Sequence, residues 1–225
     1  MPRVLLGVGV IAVAAAVISI SVGEGGPGEQ QEIGGVNEVQ RLLGGIGQED
    51  AYLGPADAEI TVTVFNDIQC GPCTEFELDV VDPLIEKYAR TDEARLEFRH
   101  YPCGDHETTL AAIAAEAAGE QSRQWQYLDT FVRNIDVIGA QGVDEEILRE
   151  VAAAVPQLEV EIWEEDFDDP ASEERVRADG RLAAELGIPA EPAAVVSGPG
   201  GQRELIETPS LDEIETAIAE VSGAG

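Results

Sequence analysis

The stretch Ile60-Thr61-Val62-Thr63-Val64-Phe65-Asn66-Asp67-Ile68-Gln69-Cys70-Gly71-Pro72-Cys73 decides how the rest of the chain reads. From Glu59 to Phe65 the residues are β-branched or aromatic, and Asn66 and Asp67 close them as turn formers, which predicts a strand. From Thr74 to Arg90, Phe76, Val80, Leu84 and Tyr88 recur every fourth position and predict one face of a helix, kinked at Pro83. Arg95 to Tyr101, closed by Pro102, predicts a second strand. Strand, helix and strand make a βαβ unit whose strands are parallel if the crossover has its usual right hand. Cys70 and Cys73 then stand where the first strand hands over to the helix. A thiol at a helix amino end meets unpaired N–H groups and the positive end of the dipole, which favour the thiolate. Cys70 is therefore the candidate attacking sulfur, and Cys73, nearly one turn on, the candidate resolving thiol. Pro72 is tolerated in a first helical turn and stiffens the motif.

Downstream the pattern turns helical. Leu110, Ile113, Ala114 and Ala117 share a face, as do Trp125, Leu128, Val132 and Ile135, and then Ile147, Leu148, Val151 and Val155. Glu161 to Glu174 is acidic but carries Ile162, Trp163 and Phe167, so it is expected to pack. Arg177 to Leu186 predicts one more helix, stopped by Gly187 and Pro189. Ala193–Val196 and Gln202–Ile206 predict a hairpin, and Ser210 with Glu213 forms a capping box that opens a last helix. The order is βαβ, a block of helices, then ββα, without internal repeats.

Two other readings of the Cys70 and Cys73 pair compete with redox chemistry. Cys70 and Cys73 as a plain structural disulfide would close too short a loop to add much stability. Cys70-x2-Cys73 with Cys103-x2-His106 is formally a Cys3His zinc set, although the interval between the pairs is long for a small zinc module. Cys103 itself lies just past the second strand, on the expected active-site edge, either as a third redox thiol or as a small buried residue. His106 opens the next helix, where it tunes a thiolate, caps or packs, and His100 reads as structural.

With 225 residues, 44% of them hydrophobic and 26% charged, the chain suits one to two globular domains, and general disorder is excluded. Its 45 acidic and 13 basic residues give a formal charge of −32, which repels phosphate backbones and excludes nucleic acid as a partner. A surface kept hydrated in high salt is the simplest account, and an acid-binding partner the alternative. Residues 4–22 run apolar behind Arg3, as a signal peptide cleaved after Ser21 or an uncleaved membrane anchor, the latter favoured by the length of the run. Either places the remainder outside the cytoplasm. Residues 23–50, acidic and Gly-rich, read as a flexible tether with one short helix.

With these motifs in hand, the chain resembles the DsbA-like branch of the thioredoxin superfamily, in particular its exported, often membrane-tethered bacterial proteins. Phe65 through Cys73, Phe98-Arg99-His100-Tyr101-Pro102, the Ala-rich Leu110 to Ala118, Gln121 to Phe131 with Trp125, and Leu186 to Pro192 carry the resemblance, over about residues 50 to 222. It implies an α/β thioredoxin-like fold in a domain of residues 51–225, with a helical insertion at about 106–186 between the βαβ and ββα halves. It implies a disulfide oxidoreductase with catalytic Cys70 and Cys73 and no metal or organic cofactor. Its partners would be Cys-containing exported proteins and a membrane redox protein that recycles the pair. Pro192 would be the cis-proline that, beside Glu191, holds substrate backbone.

Three departures bear on mechanism. The family's frequent buried acid, six residues before the first Cys, is here Val64, which leaves Asp67 as a substitute. Glu191 stands where small or β-branched residues are usual, and a carboxylate near Cys70 raises the thiol pKa. The inner dipeptide is Gly-Pro, as in reducing thioredoxins. The last two imply a milder, more reducing couple than the family's strong oxidant.

Overall fold

The predicted βαβ unit forms the centre of a six-stranded mixed sheet of order β1-β2-β4-β3-β5-β6. The strands are β1 (Gln48–Glu49), β2 (Tyr52–Leu53), β3 (Thr61–Asn66), β4 (Arg95–His100), β5 (Ala193–Ser197) and β6 (Arg203–Glu207). The computed structural model describes residues 32–101, 106–188, 192–199, 201, 203–207 and 209–223, with backbone only at 106–108 and 203–207, and these belong to one compact unit that begins at Glu32. The apolar segment at 4–22 lies outside the described residues, among which no helix is long and apolar enough to cross a membrane.

β3 and β4 pair in parallel, from Thr61 opposite Arg95 to Asn66 opposite His100. β5 runs antiparallel to β3 and continues into the expected hairpin with β6. Alternation along β3 sends Val62 and Val64 into the main core, while Phe65 joins Ala183, Ile188, Ala193 and Val195 in a smaller cluster. The sheet is thus covered on both faces, and the polar residues of its middle strands are paired, Arg99 with Glu97 and with Asp179 of the insertion.

The helix after β3 is α2 (Gly71–Phe76), a π turn (Glu77–Val81), α3 (Asp82–Leu84) and a second π turn (Ile85–Ala89). It answers Pro83 by changing its winding. Proline has no N–H to give and its ring crowds the carbonyl four residues back, here that of Asp79. The ladder widens on both sides, with Asp82 N–H donating to Glu77 O and Arg90 N–H to Ile85 O. Such π turns recur where a helix serves a functional site.

The helical insertion is α4 (His106–Gly119), α5 (Gln124–Arg133), α6 (Ile135–Gln141), α7 (Glu145–Ala154), α8 (Val160–Asp168) and α9 (Pro170–Leu186). α4 is buried on more than the one predicted face: Ala111, Ala112, Ala114, Ala115, Ala117 and Ala118 are all inside. Small side chains let α5, α7, α8 and α9 close around it. α8 packs through Trp163, stacked between Tyr127 and Phe167, with its Nε1–H donating to Ala114 O; Ile162, also expected inside, is exposed because the adjacent position points outward. Gly187, in the left-handed conformation, ends α9 as predicted. The capping box of Ser210 and Glu213 opens α10 (Leu211–Val221).

Part of the segment expected to be a tether is folded. Residues 36–49 are folded: α1 (Val36–Leu43) buries Val39, Leu42 and Leu43 in the main core, and β1 and β2 extend the sheet beside β4. Asn134 holds Gly34 through both its amide atoms, Arg90 donates to Arg41 O and Leu42 O at the end of α1, and Trp125 Nε1–H donates to Ala51 O. The segment's apolar residues are few but share one helical face, which is enough once a groove exists to receive them. Leu43→Ala should therefore lower the unfolding free energy by about 2–5 kcal/mol in urea titrations; a change within about 0.5 kcal/mol, as expected of a tether residue, would contradict the packing.

Candidate active site

The loop from β3 to α2 is built by its own polar groups. Asp67 closes an Asx-type turn, its Oδ1 accepting from Gln69 N–H at 3.0 Å and its carbonyl from Cys70 N–H at 3.3 Å. Cys70 follows in extended conformation as the N-cap of α2, so its sulfur lies over the first turn. Cys73 N–H points at Cys70 Sγ from 3.1 Å, and Thr74 donates both its N–H and its hydroxyl to Cys70 O. Two of the helix's orphan N–H groups, those of Cys70 and Cys73, are thereby satisfied, and Thr74 N–H makes the first bond of the helix itself.

Cys70 and Cys73 are joined in a disulfide with their Cα atoms 5.2 Å apart. The two sulfurs differ in access. Cys70 is half-buried between exposed Gly71 and Pro72 on one side and the loop on the other, whereas Cys73 is fully buried. Cys70 is therefore the sulfur open to an approaching molecule, and Cys73 the one closed off by the core.

Below Cys73 the structure holds a group that the sequence reading passed over. Glu77, one turn on, is 2% exposed. Asn66, the last residue of β3 and fully buried, donates its Nδ2–H to both Glu77 Oε2 (2.9 Å) and Cys73 O (3.2 Å). Burial pushes the Glu77 carboxyl up to about 8; Asp82 and Asp129 add repulsion, and Asn66 and Arg133 only partly offset it. Asp82 is likewise raised to about 7, by burial and by Asp129, against the pull of Arg133. Arg133 of α5 bridges the pair, bonded to Asp82 Oδ2 and 2.9 Å from Asp129 Oδ1. The strand position expected to carry an acid, Val64, is fully buried in the apolar core. Glu77 had left a signal: it shares the helical stripe of Val80, Val81 and Leu84, where a charged residue is out of place.

The remaining expected site residues fall into two groups. Pro192 is buried and immediately precedes β5, whose Ala193 pairs with Phe65, so it stands at the sheet edge from which Asn66 leads to Cys70. Asp67 is 5% exposed and engaged in the loop turn. His106 begins α4 as expected. Cys103, Glu191 and the side chain of His106 lie outside the described residues, and so does half of the Cys3His set. Among the described residues no cluster of His, Cys, Asp and Glu is arranged to hold a metal ion. His100 is buried, with Nε2 3.0 Å from Gln124 Nε2 and 3.2 Å from Glu116 Oε1, and its N–H donates to Asp179 Oδ2. Burial raises the Glu116 carboxyl, but His100 and Arg175 outweigh it and hold it below its ordinary value.

The sequence profile of the thioredoxin family matches residues 47–218. The chain belongs to that family. Among curated relatives, a probable disulfide bond formation protein D of Bacillus anthracis is 26% identical over 169 residues, covering 74% of this chain and 75% of its own length. The crystal structure of oxidised BdbD from Bacillus subtilis superposes with a TM-score of 0.66 at 21% identity, over 78% of this chain and 96% of that one. Wolbachia pipientis alpha-DsbA1 superposes at 0.65, also with 21% identity, over 82% and 96%. Within the family the chain is DsbA-like, and the insertion between the two halves of its sheet matches that architecture.

Asn66 ties strand, disulfide turn and buried acid together. Asn66→Ala should lower the stability of the oxidised protein by about 1–3 kcal/mol in urea unfolding, because Glu77 loses its donor inside the core.

Proposed function

We propose that this DsbA-like protein disulfide oxidoreductase works outside the cytoplasm, exchanging disulfides with Cys-containing polypeptides through Cys70 and Cys73. One observation carries the reading: a disulfide joins a half-buried N-cap cysteine to a fully buried one at the start of a helix on the sheet edge. Relatives named for disulfide bond formation support it.

A substrate thiolate attacks Cys70 Sγ and Cys73 leaves, giving a mixed disulfide through Cys70; a second thiol, or Cys73 in the reverse sense, resolves it. The Cys73 N–H aimed at Cys70 Sγ and the amino end of the helix stabilise a Cys70 thiolate once the bond is open. No metal or organic cofactor enters this chemistry. In this reading the backbone at Glu191 and Pro192, ahead of β5, forms the substrate groove, with Cys103, Asp67 and His106 as accessory candidates. The apolar segment at 4–22 exports the domain and, if uncleaved, keeps it near a membrane partner that renews the pair. The acidic composition suits a surface that remains hydrated in high salt.

A tethered binding module with little turnover is the second reading, favoured by Val64 in place of an acid. The Cys70–Cys73 disulfide speaks against it, and equally against zinc, whose thiolate ligands would be unbridged.

Cys70→Ser should abolish dithiol exchange, while Cys73→Ser should accumulate mixed disulfides through Cys70, visible by mass spectrometry after acid quenching. A Cys73→Ser protein that traps no partner would remove Cys73 from the resolving role. The couple, titrated in glutathione buffers at high salt, should lie between roughly −180 and −270 mV, more reducing than the roughly −120 mV of the strong oxidant. Glu191→Thr should move it toward the oxidising end, and an unchanged potential would take Glu191 out of the redox reading.

A further inference from the structure

Opening the Cys70–Cys73 bond creates a thiolate on Cys73, a sulfur with no exposed surface. A charge there is costly unless a proton arrives. The strand supplies no acid, since Val64 occupies the expected place, and Asp67 is engaged in the loop turn above. Glu77 is differently placed. Its N–H donates to Cys73 O, so the two side chains stand one helical turn apart on one face, with their Cβ atoms about 6 Å apart. The same Asn66 Nδ2 binds Cys73 O and Glu77 Oε2, which fixes the carboxyl against the disulfide turn. Asn66 is also suited to either charge state of its neighbour. Its Nδ2–H donates to a carboxylate, while its Oδ1, buried without a partner, becomes an acceptor for a carboxylic acid once the amide turns over.

We propose that Glu77 is the proton partner of Cys73 during disulfide exchange. As the substrate thiolate forms its bond to Cys70 Sγ, the Cys70–Cys73 bond breaks and its electron pair goes to Cys73 Sγ. The proton of the Glu77 carboxylic acid then passes to that sulfur, leaving a thiol and a carboxylate. In the closing direction, Cys73 gives its proton to the Glu77 carboxylate, bonds to Cys70 Sγ and expels the substrate thiolate. No further oxidant or reductant is needed.

The surroundings keep the proton available near neutral pH. Glu77 faces Asn66 of β3, Asp82 of its own helix, and Asp129 and Arg133 of α5; α10, packed on the same turn, turns apolar Ile214, Ala217 and Ile218 inward. Burial and the two carboxylates hold its pKa at about 8, so the acid form dominates at pH 7. Asp82 and Arg133 are each about one-fifth exposed and connect the cluster to solvent, so Glu77 can be recharged between turnovers.

The inference rests on the exchange reading above. Its test is the rate at which dithiothreitol opens the disulfide of the oxidised full-length chain, measured from pH 6 to 9.5 and divided by the concentration of attacking thiolate. The wild type should lose roughly tenfold or more as pH rises through about 8, the scale of general acid catalysis. Glu77→Gln, which preserves a neutral side chain of the same shape, should be slowed at pH 7 by a similar factor and show no inflection. Asp82→Asn should move the inflection to lower pH, because one repelling charge is gone; a purely structural role for Glu77 predicts no such shift. An inflection retained in Glu77→Gln, or a rate equal to wild type at pH 7, overturns the proposal while leaving the exchange reading intact. A wild type whose disulfide dithiothreitol does not open overturns both.

Discussion

The side chain of Asn66 is the contact on which the site depends. It is fully buried, at the last position of the central strand, and its amide must be paired within the protein. Its Nδ2 meets that demand with Cys73 O and Glu77 Oε2, both on the helix that carries the disulfide, while its Oδ1 is left without a partner. The strand end, the disulfide turn and the buried acid are therefore positioned by one planar group. Displacing the helix by a fraction of a turn would leave that group without partners in the core, at a cost of about 1–3 kcal/mol. The loop that crosses from strand to helix has correspondingly little freedom, and Asp67 removes more of it by closing the turn that presents Cys70.

Beneath this site the protein tolerates an unusual concentration of carboxylates. Glu77, Asp82 and Asp129 share Arg133, and each carboxyl is raised above its ordinary value, first by burial. An unfolded chain ionises Glu77 near 4.5, so the folded protein holds an extra proton between about 4.5 and 8. The contribution of this group to stability therefore declines as pH rises through that window. Arg133 comes from the helical insertion, Asp82 from the active-site helix, and Asn134 next to it grips Gly34 ahead of α1. The insertion is thus joined to both the thioredoxin-type half and the amino-terminal segment by polar contacts as well as by the shared apolar core.

Legibility in the sequence followed the length and periodicity of each element. β3, β4, the insertion between 106 and 186, and the Ser210 capping box could be read because each satisfies a local rule over several consecutive residues. β1 and β2 are two residues each, and β2 is defined by pairing with Leu96 and Glu97 more than forty residues away, so no local pattern announces them. α1 answers the one short helix expected in its Gly- and Gln-rich stretch, but its docking was not legible, because its few apolar residues find their place only beside Arg90 and Asn134 of the folded chain. The winding of the helix around Pro83 was also hidden: proline signals a disturbance, but whether the chain bends or widens into π turns depends on what packs against it.

The sequence by itself determined the thiol chemistry. Two cysteines spaced by Gly-Pro between a β-branched run and an amphipathic run place a thiol at a helix amino end whatever the remaining residues do, because that environment is made by the backbone within a few residues. Only the tertiary structure decided that the buried acid is Glu77 rather than a strand residue. Burial and charge coupling arise between groups far apart in sequence. Glu77 acquires its character from Asn66 of the strand and from Asp129 and Arg133 of an inserted helix some fifty residues on, and those neighbours exist only in the folded chain.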